Sequence, residues 1–229
     1  MEHPQARLRV FCIVFHVNQA DSVAQQCKRA DMPEYTLETD RLVLRPWRAE
    51  DAAPFAALNA DPQVMRYFPA TLSRSESDAI ITRARAKAES DGICFQPVEE
   101  KASGRFLGFV GLNRAAPDVP VPDTLEIGWR LARHAWGHGF ATEAAMAWLR
   151  FGFETLRLPE IISFTTLGNT PSRRVMERLG MSEDPAGAFE HPAIPAGHPL
   201  RPHVLYRLSA GRFSDRAGRG DDRPHGPGR

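Results

Sequence analysis

The sequence lacks three features that would assign it to a broad class of protein. It has only three cysteines in 229 residues, Cys12, Cys27 and Cys94. Their number is odd and their spacing suits neither zinc nor redox exchange, which favours free thiols in a reducing cytoplasm. It has no excess of one charge, because 29 Lys and Arg stand against 28 Asp and Glu, so no general field attracts nucleic acid or an anionic membrane. It also has no apolar run long enough to span a bilayer.

A strand, a glycine-rich turn and a helix, all between Leu125 and Leu156, form the central feature of the sequence. Residues 125–131 (LEIGWRL) are apolar at every second position, which predicts a strand with one buried face. After the turn, apolar residues recur at steps of three and four, which predicts an amphipathic helix packed on a sheet. These residues are Ala145, Trp148, Leu149, Phe153 and Leu156.

The turn, residues 136–144 (WGHGFATEA), suits the binding of a phosphate group. The first N–H groups of a helix lack internal acceptors, and the helix dipole adds about half a positive charge there. Gly137 and Gly139 lack the Cβ atoms that would hold a phosphate away from these amides, and both tolerate φ > 0. The alternative is a tight turn whose glycines serve only the backbone.

Two other phosphate-binding loops are excluded by the residues present. A P-loop needs Gly-x-x-x-x-Gly-Lys-Ser/Thr, which occurs nowhere in the chain. The dinucleotide fingerprint G-x-G-x-x-G/A, started at Gly137, places Thr142 where its last small residue belongs, and a Rossmann first strand would be more continuously apolar. Neither class of nucleotide site therefore fits the turn.

The turn resembles the acyl-CoA loop of the GNAT (Gcn5-related) N-acetyltransferases, whose pattern is Gln/Arg-x-x-Gly-x-Gly/Ala. Residues 136–141 (WGHGFA) match this pattern with Trp136 in place of Gln or Arg. That replacement, followed by Ala-Thr-Glu-Ala, is similar to the RimJ and RimL branch of ribosomal-protein acetyltransferases. A second motif follows at the expected distance, since residues 169–181 (NTPSRRVMERLGM) resemble the family's Asn-x-x-Ser…Glu-Lys-x-Gly-Phe. Together the two motifs extend the resemblance over residues 37–209.

The resemblance implies an α/β (α+β) fold of the GNAT type. Its mixed, mostly antiparallel sheet would have about six or seven strands flanked by about four helices, with a V-shaped splay between the strands at 125–131 and 161–166. The N-acetyltransferase domain would occupy residues 32–210, because Met32 stands where family members begin. Residues 1–31 would be a disordered or non-native leader, and as a signal peptide they lack a clear cleavage site. Residues 211–229, rich in Gly, Arg, Asp and Pro, predict a disordered tail.

Local patterns predict the remaining elements. Residues 73–76 (SRSE) form a capping box, which predicts a helix from there to about Ser90. Thr170 as the cap and Pro171 at the first helical position predict a further helix that Gly180 ends. Apolar patterns predict strands at 39–47, 93–98, 105–112, 161–166 and 204–208 and a first helix at 50–59.

The resemblance makes acetyl-CoA the expected co-substrate, and no metal is expected. Amides near Leu131 and Arg133 would bond the pantetheine arm as an added strand. An amide close to Arg130 would hold the thioester carbonyl, and Asn169 would lie against the CoA arm. The residues expected to bind the pyrophosphate are Gly137, His138, Gly139, Phe140, Ala141 and Thr142.

Two residues are candidates for catalysis by the same resemblance. Glu126, on the strand face of Gly128 and Arg130, stands where several GNAT enzymes place the base that deprotonates the acceptor amine, and a partly desolvated carboxylate suits that role. The alternative is a strand glutamate in a salt bridge, with Arg130 as its partner. Ser172 would lie near the sulfur, because the family's usual leaving-group tyrosine is Met176 here. The alternative for Ser172 is an ordinary residue of the first helical turn.

Four residues are candidates for contact with the acceptor. Tyr67 and Phe68 belong to a segment that overhangs the acceptor cleft in the family, and the alternative for them is loop packing. His191 and His203 belong to a segment rich in proline and histidine that resembles a loop closing over the acceptor, and either imidazole is a fallback base. Together with His198 they match no compact zinc spacing.

The predicted function is acetyl-CoA-dependent transfer of acetyl to a primary amine, on a protein N-terminus or a small molecule, by direct attack in a ternary complex. One alternative is a catalytically idle acyl-CoA-binding module on the same fold. A second, an RNA- or ribosome-associated structural protein, is disfavoured by the near-neutral charge. The expected partners are acetyl-CoA and the amine, without membrane or nucleic acid. The expected location is cytoplasmic, and a homodimer is compatible with the resemblance.

Overall fold

One open sheet of eight strands with five helices makes up the part of the protein that the computed structural model describes. The described residues are 35–116, 119–121 and 124–218. The leader predicted for residues 1–31 and the end of the tail, 219–229, lie outside them. Within this part, no helix combines the length and the apolar character that crossing a membrane requires.

The strands are β1 (Leu37–Glu38), β2 (Leu42–Leu44), β3 (Phe95–Glu100), β4 (Phe106–Arg114), β5 (Leu125–Leu131), β6 (Glu160–Thr166), β7 (Ser182–Glu190) and β8 (Pro202–Ser209). The helices are α1 (Ala52–Ala60), α2 (Arg74–Asp91), α3 (Phe140–Arg150), α4 (Thr170–Arg178) and α5 (Ala210–Gly218). The strand order is β1-β2-β3-β4-β5-β6-β8-β7, and only the β5–β6 pair is parallel. The predicted fold class is confirmed, with one strand and one helix more than expected.

The two faces of the sheet carry different helices. On one face, Trp148 of α3 shares a core with inward residues of the strands such as Ile127. On the other face, Phe55 of α1 and Ile81 of α2 pack with Phe109 of β4. Because side chains alternate along a strand, the even-numbered residues of β5 point to the face of α1 and α2.

The sheet opens into a V between β5 and β6. Only two residue pairs join these strands, Leu125 with Ile161 and Glu126 with Ile162. At the point of divergence, the Ser163 hydroxyl donates a hydrogen bond of 2.9 Å to the carbonyl oxygen of Ile127. The predicted splay is therefore present, and none of the described strands lies beside the rest of β5 on that side.

A buried ion pair joins β2 to the start of α1. The Arg45 guanidinium donates to both carboxylate oxygens of Asp51, at 2.8 and 2.9 Å, and also to Glu99 at 2.8 Å. Arg45 is 4% exposed and Asp51 only 1%. Such a pair is destabilising to break, because Asp51 would lose its counter-charge and the buried Arg45 would keep only Glu99.

Several element boundaries differ from the sequence prediction. The strand predicted at 39–47 is the shorter β2, Leu42–Leu44, and β1, which precedes it at Leu37–Glu38, was not predicted. The chain turns between Glu38 and Leu42, which pairs the two strands. The helix predicted at 50–59 is α1, which a single 3₁₀ turn precedes. α2 begins after Ser73 with the predicted capping box intact. The cap of α4 is Asn169 and not Thr170, which moves Pro171 one position into the helix.

Two further elements were not predicted. β7 lies where the sequence indicated only an irregular segment, and its pairing with β8 is interrupted between Asp184 and Phe189. α5 lies where a disordered tail was predicted from residue 211. Its Phe213 is 5% exposed and packs against Phe153 in a tilted arrangement, with ring centroids 4.8 Å apart. This one buried ring anchors a helix that its composition disfavours.

Candidate functional site

The predicted glycine-rich turn joins the end of β5 to the start of α3. Gly139 is the N-cap of α3 with φ of 79°, and Gly137 has the same φ. A Cβ added to Gly137 would meet no atom within 4 Å, and one on Gly139 would meet only Arg41 Nη2 at 3.6 Å. The two glycines are therefore required by the left-handed backbone and leave the surface above the turn open.

Six successive peptide N–H groups, those of residues 137–142, donate to no other group among the described residues. The next amide, that of Glu143, closes the first turn of α3 on the carbonyl of Gly139 at 3.0 Å. The helix dipole adds positive potential at the same place. The geometry suits an anion with several oxygen acceptors, such as a diphosphate.

A side-chain lock holds this helix start against the β1–β2 turn. The carboxylate of Glu143 accepts hydrogen bonds from the Thr39 hydroxyl and from the Arg41 Nε, the latter at 2.7 Å. The Arg41 guanidinium also lies 4.6 Å from the ring centroid of Phe140. Sequence patterns did not identify this lock, because residues about a hundred positions apart meet only after folding.

The outer edge of β5 offers backbone groups to the V-shaped gap. The amide of Ala132 donates to Leu107 of β4 at 2.8 Å, so the even-numbered residues turn their peptide groups towards β4 and the odd-numbered ones towards the gap. The peptide group predicted near Arg130 therefore belongs to Trp129 or Leu131. The carbonyl oxygen of Leu131 already accepts the Trp136 indole N–H at 2.8 Å.

The Arg133 amide has no acceptor in the described part of the chain. The Leu131 amide faces the gap. The predicted pair of pantetheine donors is therefore placed on one side of β5, next to the turn that carries the six open amides.

Glu126 lies at the apex of the V, at the last residue pair before the strands part. Asn113 Nδ2 donates to its Oε1 at 3.0 Å, and the Lys87 ammonium donates to Asn113 Oδ1 at 2.8 Å. Burial raises the pKa of Glu126, while the Asn113 hydrogen bond and the charge of Lys87 act to lower it. The alternative of a salt bridge with Arg130 is wrong, because the Arg130 guanidinium instead donates to Asn59 Oδ1 at 2.6 Å.

The two aromatic candidates of the acceptor loop have different surroundings. Phe68 is 38% exposed and lies over the Arg130 guanidinium, whose Cζ is 4.1 Å from the ring centroid. Tyr67 is half-buried and carries the Arg66 guanidinium on its ring at 4.7 Å, and Arg66 also faces Trp136 at 5.7 Å. Phe68 therefore borders the face that carries Glu126, while Tyr67 packs within its loop.

The two histidine candidates are brought together on that same face of the sheet. The ring centroids of His191 and His203 are 4.8 Å apart, and both rings lie beside Phe164 and Phe189. The register of β6 with β5 and β8 puts Phe164 and His203 on the side of Glu126. Burial lowers the pKa of His203. Among residues 35–116, 119–121 and 124–218, no three His, Cys, Asp or Glu side chains cluster as metal ligands do.

Asn169 and Ser172 both belong to the start of α4. The Asn169 Oδ1 accepts the amide of Ser172 at 3.3 Å, and its Nδ2 donates to the Thr165 hydroxyl at 2.9 Å. Asn169 thus has a complete structural role as a helix cap. Ser172 is half-buried in the first turn, and Met176, one turn later, is 1% exposed.

Comparison with known proteins agrees with this geometry. The model of the acetyltransferase (GNAT) domain matches residues 41–182. The protein YkkB of Bacillus subtilis is 32% identical over 146 residues, which are 63% of this chain and 84% of YkkB. An acetyltransferase structure from Agrobacterium tumefaciens is 28% identical with a TM-score of 0.62, covering 76% of this chain and 93% of the other.

The structure of Mycobacterium smegmatis RimJ in complex with CoA-disulfide shares the fold. Its TM-score is 0.62 at 23% identity, and it covers 79% of this chain and 90% of RimJ. The domain match includes the β5–turn–α3 unit with its open amides and extends to the start of β7. The chain therefore belongs to the GNAT family of acetyltransferases.

Proposed function

We propose that the protein transfers the acetyl group of acetyl-CoA to a primary amine by direct attack in a ternary complex. The observation that carries this proposal is the run of six open amides at residues 137–142, at the start of α3 and beside the gap in the sheet. Acetyl-CoA has a diphosphate for the amides and an extended arm with peptide bonds for the strand edge. One ligand thus accounts for both sets of unused backbone groups.

In this proposal the pantetheine arm lies along β5 as an added strand. The N–H groups of Leu131 and Arg133 are its donors. The Leu131 carbonyl does not take part while the Trp136 indole holds it at 2.8 Å. A gap-facing amide of β5 would hold the thioester oxygen as it becomes an oxyanion, and one such donor contributes roughly 2.7 to 4 kcal/mol to lowering the barrier.

Glu126 is the proposed base. An ammonium has no lone pair, so the acceptor must lose a proton before its nitrogen attacks the thioester carbon. The Glu126 carboxylate takes that proton, the new C–N bond forms, and the C–S bond breaks with its electron pair leaving on the CoA sulfur. The raised pKa of Glu126 brings its proton affinity closer to that of the amine.

Ser172 is the proposed neighbour of the leaving sulfur. Its hydroxyl would relay to the thiolate the second proton, which the acceptor nitrogen loses as it becomes an amide, in place of the tyrosine that Met176 replaces. Asn169 supports this arrangement indirectly, since its side chain caps α4 and fixes the amide of Ser172. Phe68, His191 and His203 would border the acceptor, with either imidazole as an alternative base. A cytoplasmic location and a homodimer belong to the same proposal.

Two measurements on the purified protein test this function. Isothermal titration with acetyl-CoA should show binding, and a panel of primary amines should include one that releases CoA thiol from acetyl-CoA. No heat at millimolar acetyl-CoA would overturn the proposal at its first step. The same titration with pantetheine, which lacks the diphosphate, should show much weaker binding.

The rival function is an acyl-CoA-binding module without catalysis. Glu126→Gln separates the two once a working amine is known, because it keeps the shape of the side chain and removes the base. We expect a large loss of kcat with unchanged affinity for acetyl-CoA. Thiol release by Glu126→Gln at the wild-type rate would mean that another group is the base. If the wild type binds acetyl-CoA but releases thiol with no amine, the rival function is favoured.

A further inference from the structure

Arg130 carries a positive charge on the face of the sheet that also carries Glu126, and no acidic side chain among the described residues pairs with it. Its Nη1 donates to the neutral amide of Asn59, and its Nε is buried with no acceptor in the described part of the protein. Its other neighbours are the rings of Phe68 and Phe109, with Cζ to centroid distances of 4.1 and 5.4 Å. Burial lowers the pKa of Arg130 to about 10.

The unsatisfied atoms of Arg130 lie on one edge of its guanidinium group. Nε and Nη2 form one of the two forked edges that match a carboxylate with two parallel hydrogen bonds. Nη1, the nitrogen bonded to Asn59, lies on the other side of the group. Neither Nε nor Nη2 donates to a residue in the ranges 35–116, 119–121 and 124–218. The side chain therefore keeps two parallel donors that the described residues leave unused and that match a carboxylate in geometry.

This site shares a strand face with the proposed base. Glu126 and Arg130 are four residues apart on β5, which places their Cα atoms about 13 Å apart at the usual rise of a strand. Between them, a Cβ on Gly128 would meet the ring of Phe95 at 3.0 Å, so this ring covers the strand there. The face thus offers a carboxylate, an aromatic ring and a guanidinium in a row.

We propose that Arg130 binds a carboxylate of the acceptor, so that the acceptor is a primary amine with an acid group several bonds away. The inference rests on the proposed function, because it assigns the second end of the same cleft. The amine would lie at Glu126, the connecting chain over Phe95 and the acid at the free edge of Arg130. An α-amino acid is too short to reach both ends, whereas a longer ω-amino acid can span them.

The same acid group has two sources that the test must separate. It can belong to a free ω-amino acid, or to an acidic side chain that follows the N-terminus of a peptide. The first is probed with glycine, β-alanine, γ-aminobutyrate and ε-aminocaproate, each beside its amide. The second is probed with the tripeptide amides Ala-Glu-Ala and Ala-Gln-Ala.

The experiment is CoA thiol release at saturating acetyl-CoA with these matched pairs. For the wild type we expect kcat/KM to increase with chain length, and the better acids to exceed their amides by about tenfold or more. Arg130→Met should reduce kcat/KM for the acid to the value for its amide without changing the KM for acetyl-CoA. Arg130→Lys should retain part of the preference for the acid. Arg74→Met, on the exposed part of α2, is the control and should behave as the wild type.

Three results would overturn the inference. They are equal rates for acids and amides in the wild type, an equal loss for both with Arg130→Met, and a preference for acids that survives this substitution. The second result would mean that Arg130 only holds Phe68 and Asn59 in place. If Arg130→Met does not fold, Arg130→Lys alone tests the inference. It must then lower kcat/KM for the acid more than for its amide.

An NMR measurement on the Arg130 side chain tests carboxylate binding without relying on turnover. The Nε–H resonance of Arg130, assigned by its loss in the lysine variant, should shift when ε-aminocaproate is added and stay in place with ε-aminocaproamide. A shift in a protein that binds no acetyl-CoA would reject the proposed function and retain the anion site. No shift with any acid would reject the anion site alone.

Discussion

Alanine at Gly137 should weaken the binding of acetyl-CoA far more than it weakens the fold. Gly137 has φ of 79°, and a Cβ there would have open space around it. The free energy of unfolding should therefore fall only by the strain of an alanine in the left-handed conformation, about 1 kcal/mol. In a domain of this size, that corresponds to a decrease in Tm of roughly 2 to 4 °C. Relaxation of the alanine to negative φ would also turn the neighbouring amides away from the ligand.

The loss of affinity can be estimated from the same backbone groups. Each hydrogen bond between an amide and a charged phosphate oxygen contributes about 1.5 to 3 kcal/mol. The loss of one such bond therefore weakens binding by at least about tenfold. Titration calorimetry with acetyl-CoA measures this directly, with thermal unfolding as the parallel measurement.

Gly104 provides a matched control in the β3–β4 hairpin, far along the chain from the turn. Its φ is 66°, and its Cβ would also meet nothing within 4 Å. Gly104→Ala should lower Tm as much as Gly137→Ala and leave the affinity for acetyl-CoA unchanged. Equal affinities in the two variants would refute the assignment of the diphosphate to the open amides.

Three further predictions concern the base, the buried ion pair and the last helix. Because burial raises the pKa of Glu126, the ionised base forms at higher pH than an exposed glutamate would require, so kcat/KM should rise with pH above that ordinary range. The rise should vanish in Glu126→Gln, and an unchanged profile would exclude Glu126. Asp51→Asn should lower the free energy of unfolding in urea by about 1.5 to 3 kcal/mol, because it removes the partner that takes two charged hydrogen bonds from the buried Arg45 and leaves only Glu99 to balance its charge. The exposed control Asp78→Asn should change it by less than about 0.5 kcal/mol, and similar losses in both would contradict the role of the buried pair. Phe213→Ala should cost about 3 kcal/mol in the same assay, whereas a neutral result would mean that α5 does not anchor the fold.

The sequence predicted the β5–turn–α3 unit well, because each part has a strong local signal. Alternation marked β5 over its full length, from Leu125 to Leu131. Spacings of three and four residues marked the buried face of α3, and the glycines marked the turn. Local periodicity and backbone chemistry carry this information without reference to the rest of the fold.

The missed features depend on contacts between distant parts of the chain. β7 contains Pro185 and Gly187 and lacks clear alternation, so only its pairing with β8 makes it a strand. α5 is held by contacts with distant residues, among them the Phe213 ring against Phe153. The lock between Arg41 and Glu143 was missed for the same reason. The hydrogen bonds around Glu126 could not be predicted either, because no sequence pattern relates Glu126 to Asn113 or Lys87.

The Trp136 indole has a consequence for how the strand edge behaves before any ligand arrives. Unpaired edges of sheets tend to recruit strands of other molecules. In this protein the edge of β5 is enclosed by the arms of the V, and the indole N–H covers the carbonyl at its outer end. A foreign strand that entered the gap would find this acceptor taken, so one of the hydrogen bonds that would recruit it is already used.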